Sequence, residues 1–396
     1  MTLEDEIRIY LNMCHGNAWR ISAPNPPDEP ALVSAFLSNE TYLGLRDILR
    51  KYVSPSTKVL VRGIFTHQTP KVLIKGKTKS VEIGDLMIVH QHFSSPLKPA
   101  SGRAILFQAK KTRTSRTGSL ANGTEEIQFE LYQSWPEFTG ETRLDRQPDK
   151  VTPSWNFQNP SVNAQSATEG AEYLTIFKGH AYCTPFTNPC QWTATISNGP
   201  DFRFVKKNYP NASTWSSGIC PPVPSPAKKG VDCKTDFSNT FCDFLLGKKG
   251  RSFQPGVVSP TSDHWSLFIN QMLSFAFSDK SDYVYKLASQ GVVDSRLRGQ
   301  NLNYLSGVPM LFHASLEEMY EFVVAAAGHT ELTNFVLTNE ILKHIELGSY
   351  IRGRDAADVP PVNRLQDSPS NLPSSHVPLL LVMTHGPDET PFNSQK

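Results

Sequence analysis

The residues of this 396-residue chain best suited to act together are Asp85, Gln108 and Lys110. They lie in two apolar runs, Val81-Glu-Ile-Gly-Asp85-Leu-Met-Ile-Val89 and Ala104-Ile-Leu-Phe-Gln108-Ala-Lys110, both of which read as strands. The two-residue period of a strand puts Gln108 and Lys110 on one face and Ile105, Phe107 and Ala109 on the other. If the two strands are neighbours, Asp85 meets that polar pair, and a carboxylate, an amide oxygen and an ammonium surround one point. Oxygen donors of this kind suit Mg²⁺ or Mn²⁺, hard cations that keep waters for a substrate phosphate. A lysine beside them can orient the attacking water or help to deprotonate it. This is equipment for phosphodiester hydrolysis.

The charge pattern favours a polyanionic substrate. The chain is close to neutral overall, with 39 Lys and Arg against 37 Asp and Glu. Between Ile48 and Gly123, however, fourteen basic residues face only Glu82 and Asp85, so this stretch carries an excess of twelve positive charges and the rest is negative. A phosphate backbone is the expected partner of such a segment. Lys111, Arg113 and Arg116 sit in the loop just past Lys110 and are expected to contact phosphates, which positions a duplex without reading its sequence.

Several elements must hold these residues in place. A helix is expected from Leu3 to Met13, then a Pro-rich break from Ala23 to Pro30, then a helix from Asn39 to about Tyr52. Strands follow at Lys58–Thr66, Lys71–Ile74, Ser80–Val89 and Arg103–Lys110. An amphipathic helix over Glu125–Phe138 presents Ile127, Leu131 and Trp135 every four residues. The segment Arg143–Glu169 reads as a polar linker, and Tyr173–Phe177 as a further strand. Residues 184–234 are crowded with Pro, Asn, Ser and Gly, whereas helices are expected at Ser262–Phe277, Ser281–Gln290, Leu316–Ala327 and Glu331–Leu347. The expected divisions are an N-terminal helix with a Pro-rich segment (1–37), an α/β domain (38–180), a loop-rich then helical domain (181–354), and a flexible linker and tail with a short apolar strand (355–396).

Asp85, Gln108 and Lys110 together resemble the D…(D/E/Q)xK signature of the PD-(D/E)xK nuclease superfamily, in the Gln-x-Lys form similar to Mrr-type restriction nucleases. Gln128-Phe-Glu-Leu-Tyr132 resembles the Q-x-x-x-Y element that follows the catalytic strand in RecB-type nucleases. The resemblance covers about residues 38 to 140, roughly a third of the chain. It implies an α/β fold with a restriction-endonuclease-like N-terminal core, joined to a loop-rich and then mostly α C-terminal region. It also implies a Mg²⁺- or Mn²⁺-dependent enzyme cutting DNA, of the kind found in prokaryotic anti-phage defence, restriction or DNA repair. Asp85 and Gln108 would bind the metal, Lys110 would act on the water, and Gln128 and Tyr132 would face the cleft or a DNA backbone.

Gln108 replaces the usual acid and binds a divalent cation less strongly, so a further carboxylate is needed. The resemblance points to Glu40, on the helix before the sheet. Glu82 is nearer in sequence, but strand parity sets it opposite Asp85 unless Gly84 bends the chain. The competing expectation is a protein that keeps the fold to bind nucleic acid or a partner protein without cutting.

Other classes are disfavoured. There is no Gly-x4-Gly-Lys-Ser/Thr phosphate loop, no His-Glu-x-x-His and no Gly-x-Ser-x-Gly. Five of six cysteines lie between Cys183 and Cys242, yet none forms a Cys-x2-Cys pair, so reduced thiols are expected rather than a zinc site. No apolar run approaches the about 20 residues that span a bilayer, and the acidic start does not resemble a secretory signal. A cytoplasmic location with no membrane contact is expected, and the large remainder leaves room for a regulatory subunit or self-association.

Overall fold

A computed structural model of the chain describes residues 2–22, 26–37, 39–64, 70–93, 101–113, 116–120, 123–140, 154–158, 167–179, 213–219, 230–256, 263–277, 377–387 and 391–392. Six α-helices are formed among them: α1 (Leu3–Ser22), α2 (Glu29–Leu37), α3 (Asn39–Arg50), α4 (Gly123–Ser134), α5 (Phe237–Leu245) and α6 (His264–Phe277). The first six strands are β1 (Lys58–Ile64), β2 (Lys71–Ile74), β3 (Val81–Glu82), β4 (Leu86–Phe93), β5 (Ser101–Thr112) and β6 (Thr117–Ser119). The remainder are β7 (Phe138–Gly140), β8 (Ala171–Phe177), β9 (Trp215–Gly218), β10 (Gly230–Asp232), β11 (Thr235–Asp236), β12 (Arg251–Phe253) and β13 (Leu379–His385).

β13 and the first half of β4 (Leu86, Met87, Ile88, Val89) are apolar runs, and β4 is buried along its whole length, as strands covered on both faces should be. They lie inside an eight-stranded mixed sheet of order β1-β13-β4-β5-β8-β9-β11, with β12 also paired to β5. β13 runs parallel to β4 and β8 parallel to β5, whereas β4 and β5 are antiparallel. One face, carrying Leu86, Ile88, Ile105, Phe107, Leu174 and Val382, packs on α1, α2, α3 and α5. The other, carrying Met87, Val89, Leu106, Leu381 and Met383, packs on α4, α6 and a small sheet of order β3-β2-β7. The result is a mixed α/β fold with helices on both sides of the sheet.

Local signals explain the helix limits. Asp28 caps α2, its carboxylate accepting the Ala31 N–H at 3.0 Å, and Pro30 in the first turn removes a donor that would have no partner there. α4 stops at Ser134, four residues short of the expected end, because Trp135 turns to φ 44° and Pro136 cannot continue the helix. No described helix is long and apolar enough to cross a membrane.

Three expectations need revision. The strand read at Ser80–Val89 is two strands, because the chain leaves the small sheet at Ile83 and joins the central one at Leu86. The supposed linker at Arg143–Glu169 supplies core: Trp155 and Phe157 are fully buried, with the Phe157 ring 4.9 Å from Trp135, 5.2 Å from Trp265 and 5.2 Å from Phe268. The central sheet takes strands from 38–180, from 181–354 and from 355–396, and α1 and α2 join the same core. The short strand assigned to a flexible tail sits between β1 and β4, held by both. The helices expected at Ser281–Gln290, Leu316–Ala327 and Glu331–Leu347 lie outside the described residues.

Candidate active site

The β4–β5 register brings the polar residues together. Leu86 pairs with Phe107, and the Asp85 N–H donates to the Phe107 carbonyl at 2.9 Å, so the antiparallel ladder reaches one residue further and sets Asp85 across from Gln108. Gln108 Nε2 donates to Asp85 Oδ2, and the Ala109 N–H donates to the same oxygen at 2.8 Å. Gln108 is 1% exposed, and its Oε1 is buried without a hydrogen-bond partner. Lys110, two residues on, shares the face of Gln108.

The corner that carries Asp85 is pinned from behind. Tyr132 donates its hydroxyl to the Ile83 carbonyl at 2.9 Å. Between Ile83 and Asp85 a side chain would crowd the corner, since a Cβ on Gly84 would stand 2.9 Å from the Tyr132 hydroxyl and 3.3 Å from Leu106, and one of them would have to shift. Glu82, just before the corner, adds to the forces that raise the Asp85 and Glu29 carboxyls.

The carboxylate missed in the sequence is Glu29. It begins α2, accepts the Lys111 N–H at 2.8 Å, and interacts with Lys110 and Asp85. A recognisable signal precedes it: Asp28 as cap, then Pro30, then an apolar run. The Pro-rich break had absorbed that signal. Glu40 lies in α3, but its side chain falls outside the described residues.

These groups make a cluster short of positive charge. Burial pushes Asp85 well above the usual carboxylate range; Glu29 and Glu82 push further, against Lys110 and the Ala109 N–H. Burial likewise raises Glu29, opposed by Lys110 and the Lys111 N–H. For Lys110 burial alone would favour the neutral amine, but Glu29, Asp85 and Glu125 outweigh it and hold the ammonium charged. Lys110 is therefore equipped to donate to a water or a phosphate oxygen.

The donor chemistry suits a hard divalent cation. An enclosed carboxylate with a raised proton affinity and an amide oxygen lacking a donor both gain from one. Among the described residues no three His, Cys, Asp or Glu side chains converge on one point. As placed, the Gln108 amide turns Nε2 rather than Oε1 toward Asp85, so a cation held by both would need the amide turned over and most of its remaining ligands from water.

The expected nucleic-acid contacts fare differently. Tyr132 is 1% exposed, with its ring 5.4 Å from Trp135 and 5.6 Å from Tyr173, so it cannot face a polymer. Gln128 is buried on the same stripe. Lys111 donates its ammonium to the Pro27 carbonyl at 2.9 Å and so ties down the start of α2. Arg113 is exposed, as is Arg116, which lies 3.8 Å from Asp236. The basic excess is also partly spent: Lys51 pairs with Glu6, Lys75 with Glu137 and Lys77 with Glu130. Charge summed along the sequence overstated the charge on one face, because acids from α1 and α4 fold back onto it.

Cys14, Cys233 and Cys242 are buried free thiols, and burial pushes the last two up to about 12. Cys183, Cys190 and Cys220 lie outside the described residues. No family model, no curated protein and no solved structure matches this chain.

Proposed function

We propose that the chain is a metal-dependent nuclease with a restriction-endonuclease-like core, hydrolysing phosphodiester bonds of DNA, in prokaryotic defence, restriction or repair. The observation that carries the reading is the convergence of Asp85, Gln108 and Lys110 at one corner, Asp85 bonded to Gln108 across the β4–β5 ladder and Lys110 on the same face. Glu29 supports it by supplying the carboxylate that Gln108 does not.

Asp85 and the Gln108 amide oxygen would hold Mg²⁺ or Mn²⁺, with Glu29 or Glu82 reaching it through water. Such an ion supplies neutralisation of phosphate charge and a lower pKa for a bound water. Lys110 would orient that water and stabilise the charge developing on phosphate oxygens. Arg113 and Arg116, exposed beyond the end of β5, would contact the flanking backbone. The choice of DNA rests on the resemblance.

A second reading is favoured by the absence of three convergent ligand side chains among the described residues: a nuclease-like fold that binds nucleic acid or a protein without cutting. The test is incubation of the purified chain with plasmid DNA, linear DNA and RNA, in Mg²⁺, Mn²⁺ or EDTA, at two salt concentrations. Cleavage that needs metal and vanishes in Lys110→Ala, with binding retained, is expected. Binding without cleavage of any polymer under any metal would replace the nuclease with the binder.

A further inference from the structure

α4 carries Glu125, Gln128 and Tyr132 at i, i+3 and i+7, a spacing that lines them along one stripe. At one end of the stripe Tyr132 holds the corner behind Asp85. At the other, Glu125 Oε1 lies 3.6 Å from Lys110 Nζ, in an ion pair whose lysine is only 15% exposed and whose glutamate is 23% exposed. A lysine side chain has much rotamer freedom to lose when fixed, and a group acting on a reacting water must be held to about 0.5 Å. On β5 itself Ala109 offers no side-chain acceptor and Lys111 turns to the Pro27 carbonyl; Glu29 and Asp85 also attract the ammonium, but among the described residues the carboxylate at ion-pair distance is Glu125.

We propose that Glu125 is a positioning residue: it holds the Lys110 ammonium at the Asp85–Gln108 corner, so that one helix sets both halves of the site. The proposal rests on the nuclease reading for its consequence in rate, and on the Lys110–Glu125 contact for its geometry. A plainer role exists, since an acid in the first turn of a helix is favoured by the helix dipole. Glu126 occupies the same turn and is exposed, so it serves as the control.

The experiment compares Glu125→Gln, Glu125→Asp and Glu126→Gln in the full chain by two measurements. In DNA cleavage with Mg²⁺, Glu125→Gln is expected to lower kcat about 10- to 100-fold, the scale of a misplaced reacting group, with KM near that of the unaltered chain. Glu125→Asp, too short to reach Lys110 fully but as good at a helix end, recovers only part of the rate, and Glu126→Gln keeps it. In acetic anhydride labelling read by peptide mass spectrometry, Lys110 reacts several-fold faster in Glu125→Gln and unchanged in Glu126→Gln. Equal losses of rate in Glu125→Gln and Glu126→Gln, or full recovery in Glu125→Asp, would reduce Glu125 to a helix-end acid. If the unaltered chain cuts nothing, the nuclease reading falls, while the labelling still judges the contact: unchanged Lys110 reactivity in Glu125→Gln overturns the positioning role.

Discussion

The corner at Ile83–Asp85 makes a quantitative demand on Gly84 and Tyr132. Replacing Tyr132 by Phe removes the hydroxyl that donates to the Ile83 carbonyl at 2.9 Å and leaves a buried acceptor unsatisfied, a cost of about 1–3 kcal/mol. Replacing Gly84 by Ala puts a methyl 2.9 Å from that same hydroxyl, 3.3 Å from Leu106 Cδ2 and 3.4 Å from the Phe107 carbonyl, overpacking that costs about 1–3 kcal/mol. Gly84 does not need a left-handed backbone, so the penalty is one of space. Because the closest obstacle to the new methyl is the atom that Tyr132→Phe deletes, the double variant should be more stable than the sum of the single effects predicts, by about 1 kcal/mol. Urea denaturation of the four proteins closes the cycle, and metal-dependent cleavage measured in parallel should fall in both single variants as the corner shifts Asp85. Strict additivity in the stability cycle, or a Tyr132→Phe variant as stable as the parent, would refute the claim that this hydroxyl sets the corner.

Other consequences can be checked independently. His90 bonds Thr384 at 2.9 Å and His92 bonds the same hydroxyl at 2.8 Å, tying β4 to β13. Burial, then His92 and Arg103, lower the His90 pKa from 6.5 to about 3. Its contribution is therefore whole above pH 6.5 and lost as pH falls from there toward 3, amounting to about 2–3 kcal/mol by pH 4.5; urea midpoints should drop across this window, and less steeply in His90→Asn. Phe157→Ala should cost about 3–5 kcal/mol and lower the thermal midpoint, although its segment reads as a linker; a shift near zero would mean that the ring cluster is not closed in solution. Deleting Leu379–His385 opens the sheet between β1 and β4 and should leave a chain without cooperative unfolding by near-ultraviolet circular dichroism, whereas a cooperative transition would show that the strand is dispensable.

Much of the site was legible because its arithmetic is local. The two-residue period assigned Gln108 and Lys110 to one face, and the antiparallel register Leu86 with Phe107 makes Asp85 and Gln108 direct neighbours once β4 and β5 are adjacent. The eight-residue stripe from Glu125 to Tyr132 also lies in the sequence, but its direction does not. A Q-x-x-x-Y helix can face solvent or core with the same letters, and only the packing of Tyr132 on Tyr173 and Trp135 decides.

The sequence by itself determined the α/β character, the places of β1, β2, β5, β8, α3, α4 and α6, and the polar doublet on β5, because hydrophobic period, caps and breakers act over a few residues; α1 runs on to Ser22, and α2 and α5 were not read. Tertiary structure alone decided that Glu29 reaches the end of β5, that acids distant in sequence pair with Lys51, Lys75 and Lys77 of the basic segment, and that β13 enters the sheet beside a strand some 290 residues earlier. Each of these is a contact between segments whose local patterns are complete without the other. What joins them is the burial of both faces of one sheet, a condition on the whole chain that no short window contains.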